Sequence, residues 1–183
     1  ADVVKSKPAW ADSFAMKSGA ASQAILLALQ SGEQEEIRLR ARMMAAVDEG
    51  IGAITDVLDK NGELDNTFIV FLSDNGFFFG EHALGPERRF AYEEGIRSPF
   101  VVRYPRKVKA GSRRRELVIC QDLAPTLLEL AGGKPGPQIQ GRSLLPLFAA
   151  RRTPWRKSIL IEYWAEQALP WLVGMTYKAV RTD

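Results

Sequence analysis

Apolar residues return at three- and four-residue steps from Ile37 through Met44, Val47, Ile51 and Ile54 to Leu58, forming one stripe of an amphipathic helix. Ser31, with Gln34 three residues on, has the form of a capping box, and Glu33, Glu35 and Glu36 suit the positive end of a helix, so the pattern predicts a start there. Lys60-Asn61-Gly62 predicts the stop. Gly50 and Gly52 interrupt the stripe at about 1 kcal/mol each relative to alanine, and would permit close packing on a sheet. The first twenty residues show little periodicity and read as a loop or loose arm.

Next, Phe68 to Leu72 runs without polar alternation, the signature of a strand at about 67–73 buried on both faces of a parallel sheet. A second strand, Pro99 to Tyr104, is bracketed by prolines that can flank a strand but not occupy its middle. Asp122 is placed to cap a helix that tolerates Pro125 in its first turn, carries Leu127, Leu128, Leu130 and Ala131, and stops at Gly132-Gly133. Ser143 heads a short turn containing Pro146, and the segments Ser158 to Trp164 and Met175 to Arg181 read as an antiparallel strand pair near an edge. Helix followed by strand implies an α/β layer architecture. The division expected is an arm at 1–30, an α/β region at 31–150 and the start of an antiparallel subdomain at 151–183.

A chain of 183 residues with 46% hydrophobic content supports one main unit with a core. No run approaches the roughly 18 apolar residues of a membrane span, and no charged-then-apolar leader pattern opens the sequence. The compartment stays open, because the sole cysteine, Cys120, excludes only an internal disulfide and a cysteine-based zinc cluster. The net charge of +3 is mild, but cations gather from Arg106 through Lys107, Lys109, Arg113 and Arg114 to Arg115. That run reads as a solvated loop or, alternatively, a polyanion-binding patch. With no interleaved aromatic residues and no nucleic-acid motif, nucleic acid is not expected as a partner.

The chemistry is concentrated where the first strand ends, at Ser73-Asp74-Asn75-Gly76. The carboxyl ends of strands in open α/β sheets are where ligands bind, and Asp74 and Asn75 offer hard oxygen donors suited to calcium or magnesium. On these residues alone a plain turn is the competing reading. Beyond them lie Phe77-Phe78-Phe79-Gly80-Glu81-His82 and Arg88-Arg89-Phe90-Ala91-Tyr92-Glu93-Glu94 with Arg97 and Pro99, dense in groups that coordinate, donate protons or hold anions. Taken in order with Met43-Met44-Ala45-Ala46-Val47-Asp48-Glu49, Asp122-Leu123-Ala124-Pro125-Thr126-Leu127-Leu128 and Gly141-Arg142-Ser143-Leu144, these motifs closely resemble the second half of the sulfatases, in the alkaline-phosphatase-like superfamily. Several separated motifs in one order are more specific than any one alone, and they decide against the turn-only reading of Asp74. The resemblance runs clearly from about Arg42 to Phe148.

It implies an alkaline-phosphatase-like sandwich, a largely parallel or mixed sheet flanked by helices, of which this chain holds the carboxyl-side part. It also implies that Asp74 and Asn75 bind the divalent cation, calcium or magnesium, and that His82 sits in the sulfate pocket to hydrogen-bond the ester or protonate the departing alcohol. The alternative for His82 is a structural role, holding a carboxylate such as Glu81. Many sulfatases carry a sulfate-contacting lysine where Arg88 stands here, with Arg89 as the register alternative; arginine can clamp sulfate oxygens but does not release a proton. Surface pairing with Glu87 or Glu93 is the other reading of these arginines, and Arg97 is expected to bond Glu93 or Glu94. The family's nucleophile is a formylglycine made from a Cys/Ser-x-Pro-x-Arg motif. Cys120 is followed by Gln121-Asp122-Leu123-Ala124, so it is not that site, and the motif is expected in a preceding part of the polypeptide. The implied function is hydrolysis of a small-molecule or carbohydrate sulfate ester by the parent protein, the fragment alone being inactive. Phosphonate or phosphodiester hydrolysis within the superfamily, and a non-catalytic module binding sulfated glycans through Arg106 to Arg115, are the alternatives. Unpaired sheet edges make self-association a further expectation.

Overall fold

The computed structural model describes residues 20–83, 88–149, 153–164 and 176–182, with side chains from residue 35 onward except at 83. Of the expected arm at 1–30, residues 1–19 lie outside the described residues, as do the side chains of Ser31 and Gln34, Glu87 and Met175, while residues 20–30 are helical. Helix α1 spans Ala20–Lys60. Its start precedes the predicted one at Ser31, because Ala20-Ala21, Ala24 and the leucines that follow are strong helix formers and need no cap at Ser31 to carry the helix through. It stops where the sequence places the stop, with Gly62 N–H donating to Asp59 O at 2.9 Å and Glu63 N–H to Leu58 O at 2.8 Å.

The α1 stripe is exposed from Ile37 to Ile54, between 36% at Ile51 and 61% at Ile54, with Leu58 half-buried at its end, and a Cβ at Gly50 or Gly52 would meet nothing within 4 Å. These glycines therefore do not serve a close approach to a sheet among the described residues. Where α1 does make contact, the Arg40 guanidinium lies 3.8 Å from the Phe77 ring centroid while bonding Glu36 at 2.8 Å.

Strands β1 (Ile69–Leu72) and β2 (Phe100–Arg103) pair antiparallel, Ile69 facing Arg103 and Leu72 facing Phe100. The parallel pairing expected of β1 is thus corrected: the intervening chain returns to the end of the strand it left, and β1 residues are each half-buried rather than enclosed on both faces. Ser73 N–H still reaches Pro99 O at 3.4 Å, so the ladder runs to the edge of the candidate site. Phe68 meets the ring of Tyr104 edge-on at 5.8 Å and that of Phe148 at 6.0 Å.

Helix α2 is the short Glu93–Ile96 turn. Helix α3, Leu123–Leu130, carries Pro125 in its first turn and ends as predicted, with Gly132 at φ +81° and Gly133 N–H donating to Leu128 O at 2.8 Å. Helix α4, Leu145–Phe148, has its proline at the start, and Leu144 and Leu147 at its head are almost fully buried. Asp122 differs from its predicted role, for its carboxylate makes no cap to α3. It is fully buried and accepts instead from Ile119 N–H at 3.0 Å, Arg142 N–H at 2.8 Å and the Arg156 guanidinium. The predicted final pair is present as β3 (Ser158–Tyr163) and β4 (Tyr177–Thr182), antiparallel from Ser158 facing Thr182 to Tyr163 facing Tyr177.

Two compact units are discernible. One comprises Ala1–Val57 with Asn75–Ser98, the other Leu58–Asp74 with Pro99–Asp183. No helix among the described residues is long and apolar enough to cross a membrane.

Candidate functional site

Asp74 follows β1 by two residues, and its carboxylate is exposed, with Ser73 Oγ 3.4 Å from Oδ1. In the other unit Asn75 is half-buried, and its Nδ2 donates to Gly76 O at 2.6 Å, which directs Oδ1 away from that bond. Gly76 is required by a close approach: a Cβ there would lie 2.0 Å from Glu94 O and 2.5 Å from Arg97 O. Gly76 N–H donates to Gly95 O at 2.9 Å, so the chain leaving the first strand is pinned against α2 backbone to backbone. A Cβ at Gly95 would in turn fall 2.5 Å from Phe90 O and 3.0 Å from the Phe78 ring.

That docking brings Glu94 to His82. His82 Nε2 lies 3.0 Å from Glu94 Oε2, the two side chains being 18% and 31% exposed. The imidazole stacks on Tyr92 at 4.2 Å and 16°, and meets the edge of the fully buried Phe78 at 6.1 Å. Its backbone is left-handed at φ 59°, a conformation that costs a non-glycine residue about 1–2 kcal/mol. Its Nδ1 is buried with no hydrogen-bond partner among the described residues, at a cost of about 1–3 kcal/mol. Two such costs at one residue persist only where the surroundings hold it in place, and such residues cluster at functional sites.

The electrostatics follow the geometry. Glu94 is held below the usual carboxylate range, first by a hydrogen bond from its own backbone N–H and then by His82, against an opposing contribution from burial. Burial and the negative charge of Glu94 both raise the Tyr92 phenol above its ordinary value. His82 thus has a carboxylate partner, but it is Glu94 rather than the Glu81 suggested by adjacency, since Glu81 accepts from Phe79 N–H. The signal for Glu94 was available: it sits in the Tyr92-Glu93-Glu94 motif, of which Tyr92 also stacks on the ring. Arg88 is exposed and Arg89 half-buried, in the segment whose backbone packs on Gly95. Arg97 pairs with Glu93 at 3.7 Å, one of the two partners expected.

Among the described residues no group of three or more His, Cys, Asp and Glu is gathered to hold a metal ion. Asp74 and Asn75 carry hard oxygen donors and would supply two of the six to eight that calcium takes, the remainder having to come from other groups or water. Cys120 is exposed and free in a 3₁₀ turn. The basic segment Lys109–Arg114 lines, with Phe148, an open cavity of about 320 Å³ in the unit that does not contain His82.

The sulfatase family model matches residues 4–133. N-acetylglucosamine-6-O-sulfatase of Bacteroides thetaiotaomicron is 44% identical over 134 residues, 72% of this chain and 24% of that protein. A solved structure of a protein in complex with its substrate D-glucosamine-2-N,6-O-disulfate superposes with TM-score 0.70 at 42% identity, covering 76% of this chain and 28% of that one. The phosphonate monoester hydrolase of Silicibacter pomeroyi superposes with TM-score 0.59 at 28% identity, covering 63% and 23%. These neighbours agree with an alkaline-phosphatase-like α/β fold, while the described strands form two small antiparallel ladders. The chain spans about a quarter of the length of the curated relative it matches. With the family model matched over more than half of its residues, the chain belongs to the sulfatase family.

Proposed function

We propose that the complete protein hydrolyses sulfate esters of carbohydrates, with 6-O-sulfated amino sugars as the leading substrate class. What supports the reading is the 44% identity to an N-acetylglucosamine-6-O-sulfatase, together with likeness to a protein solved with a disulfated glucosamine. Asp74 and Asn75 hold a divalent cation, calcium or magnesium. When bound, that ion supplies polarisation of the sulfate oxygens and offsets the charge that grows on them. His82 hydrogen-bonds the ester and gives a proton to the departing alcohol, a role for which imidazole is suited near neutral pH. Arg88, or Arg89 in the alternative register, clamps sulfate oxygens through its planar fork and takes no part in proton transfer. No Cys/Ser-x-Pro-x-Arg segment occurs in this sequence, so the nucleophile, a formylglycine, is assigned to another part of the polypeptide.

The test is turnover by the complete protein of glucosamine 6-sulfate, an aryl sulfate and the matching aryl phosphonate monoester. Preference for the sulfates, and among them the sugar sulfate, is expected. Faster turnover of the phosphonate would assign the chemistry to phosphonate ester hydrolysis instead.

A further inference from the structure

We propose that Glu94 is a positioning residue for His82: it fixes the ring as the Nε2–H tautomer and leaves Nδ1 to exchange a hydrogen bond and a proton with the departing ester oxygen. The inference rests on the sulfatase reading of His82 given above. An ionised carboxylate only accepts, so the 3.0 Å contact places a hydrogen on Nε2. A neutral imidazole has one N–H, and Nδ1 then carries the lone pair. Any added proton goes to Nδ1, and the imidazolium is faced by the Glu94 charge, as the carboxylate partner of a catalytic histidine does in hydrolases of other folds.

The ring cannot readily turn to present its nitrogens the other way. It lies flat on Tyr92 at 4.2 Å, with Phe78 against it at 6.1 Å. Its partner is equally constrained, because Gly76 and Gly95 are joined at 2.9 Å and Gly76 leaves no room for a Cβ beside Glu94 O. The turn that carries Glu94 is therefore docked on the residue next to Asn75. Nδ1, buried and without a partner among the described residues, is the ring atom whose hydrogen-bonding capacity is unused. In the step, His82 enters as the imidazolium with its second proton on Nδ1; the S–O bond electrons leave with the alcohol oxygen, which takes that proton, while the sulfuryl group bonds to the oxygen nucleophile of the proposed reaction, whose own proton passes to solvent. The ring is left neutral with its hydrogen on Nε2, a solvent proton recharges Nδ1 for the next cycle, and Glu94 stays ionised throughout.

His82 is the only histidine, so nitrogen NMR of a histidine-labelled chain reports one ring. At a pH that leaves the ring neutral, the expected result is a hydrogen on Nε2 and none on Nδ1, with Glu94→Ala yielding a mixture of tautomers. In the complete protein, Glu94→Ala should lower kcat about 10- to 100-fold on an alkyl sulfate, as losses of residues that orient a reacting group do, and far less on nitrophenyl sulfate, whose leaving group needs no proton. Should Glu94→Ala not fold, the wild-type tautomer decides alone and Glu94→Gln supplies the leaving-group comparison. A neutral wild-type ring protonated at Nδ1, or equal losses on both esters, overturns the proposal. The tautomer is read without substrate, so it stands or falls separately from the sulfatase reading.

Discussion

Arg156 lays its guanidinium along both oxygens of the Asp122 carboxylate, Nη2 to Oδ1 at 2.6 Å and Nη1 to Oδ2, with the two side chains 10% and 0% exposed. The same carboxylate takes the backbone N–H groups of Ile119 and Arg142, so one buried charge ties together three separated segments. Thr126 extends the cluster, donating to Asp122 O at 2.6 Å and accepting from Leu144 N–H at 2.8 Å.

Removing one partner of such a pair leaves the other charged and desolvated. Arg156→Met should therefore destabilise the chain by about 3–5 kcal/mol, measured by urea unfolding. A loss under about 1 kcal/mol, the range of exposed pairs, would mean that water reaches Asp122.

Gly76 and Gly50 give opposite expectations for the same substitution. Gly76→Ala forces a methyl group to 2.0 Å from Glu94 O and should cost about 1–3 kcal/mol or more, with displacement of α2. Gly50→Ala meets nothing within 4 Å inside α1 and should stabilise by about 0.5–1 kcal/mol. Thermal melts of the two variants decide, and a neutral Gly76→Ala would contradict the docking of Gly76 on Gly95.

The sequence was most readable where local chemistry sets the backbone. Gly132 as the end of α3, Gly62 beyond α1 and the alternating β3–β4 pair were found where expected, because helix stops and half-buried strands are written in neighbouring residues. Pairing direction was not readable, since β1 and β2 are separated by a long segment and a short apolar run looks alike in parallel and antiparallel sheets. Asp122 looked like a cap because Arg156, its partner, is 34 residues away. The structural alternative for His82 named Glu81 as an example of a carboxylate partner, by adjacency, whereas the bond to Glu94 depends on the close approach of Gly76 and Gly95, a tertiary fact.

Glu94 makes acid stability informative. Its pKa is lowered in the folded chain, so its contribution is present above the usual carboxylate range and is lost as pH falls through the depressed folded value. Glu94→Gln should flatten this part of the stability profile, and a profile identical to wild type would show that the His82 contact and the backbone bond do not favour its ionised form.

Tyr177 should govern the alkaline side. Burial, then the nearby Tyr163, pushes its phenol up to about 12. Because the folded value is raised, its contribution is complete below pH 10, near the ordinary tyrosine value, and is lost as pH rises toward 12 and the unfolded chain ionises first. Tyrosinate absorbance should show a late step that Tyr177→Phe removes, and ionisation of all four tyrosines together near 10 would contradict the enclosure of Tyr177.

The decisive experiment concerns Asp74. Turnover of glucosamine 6-sulfate by the complete protein should require a divalent cation, vanish on chelation and return with calcium or magnesium. The Asp74→Ala variant, folded by circular dichroism, should lose about 100-fold or more of kcat/KM and need more metal to saturate. Undiminished turnover by Asp74→Ala, with unchanged metal dependence, would show that the carboxylate at the end of β1 does not hold the cation.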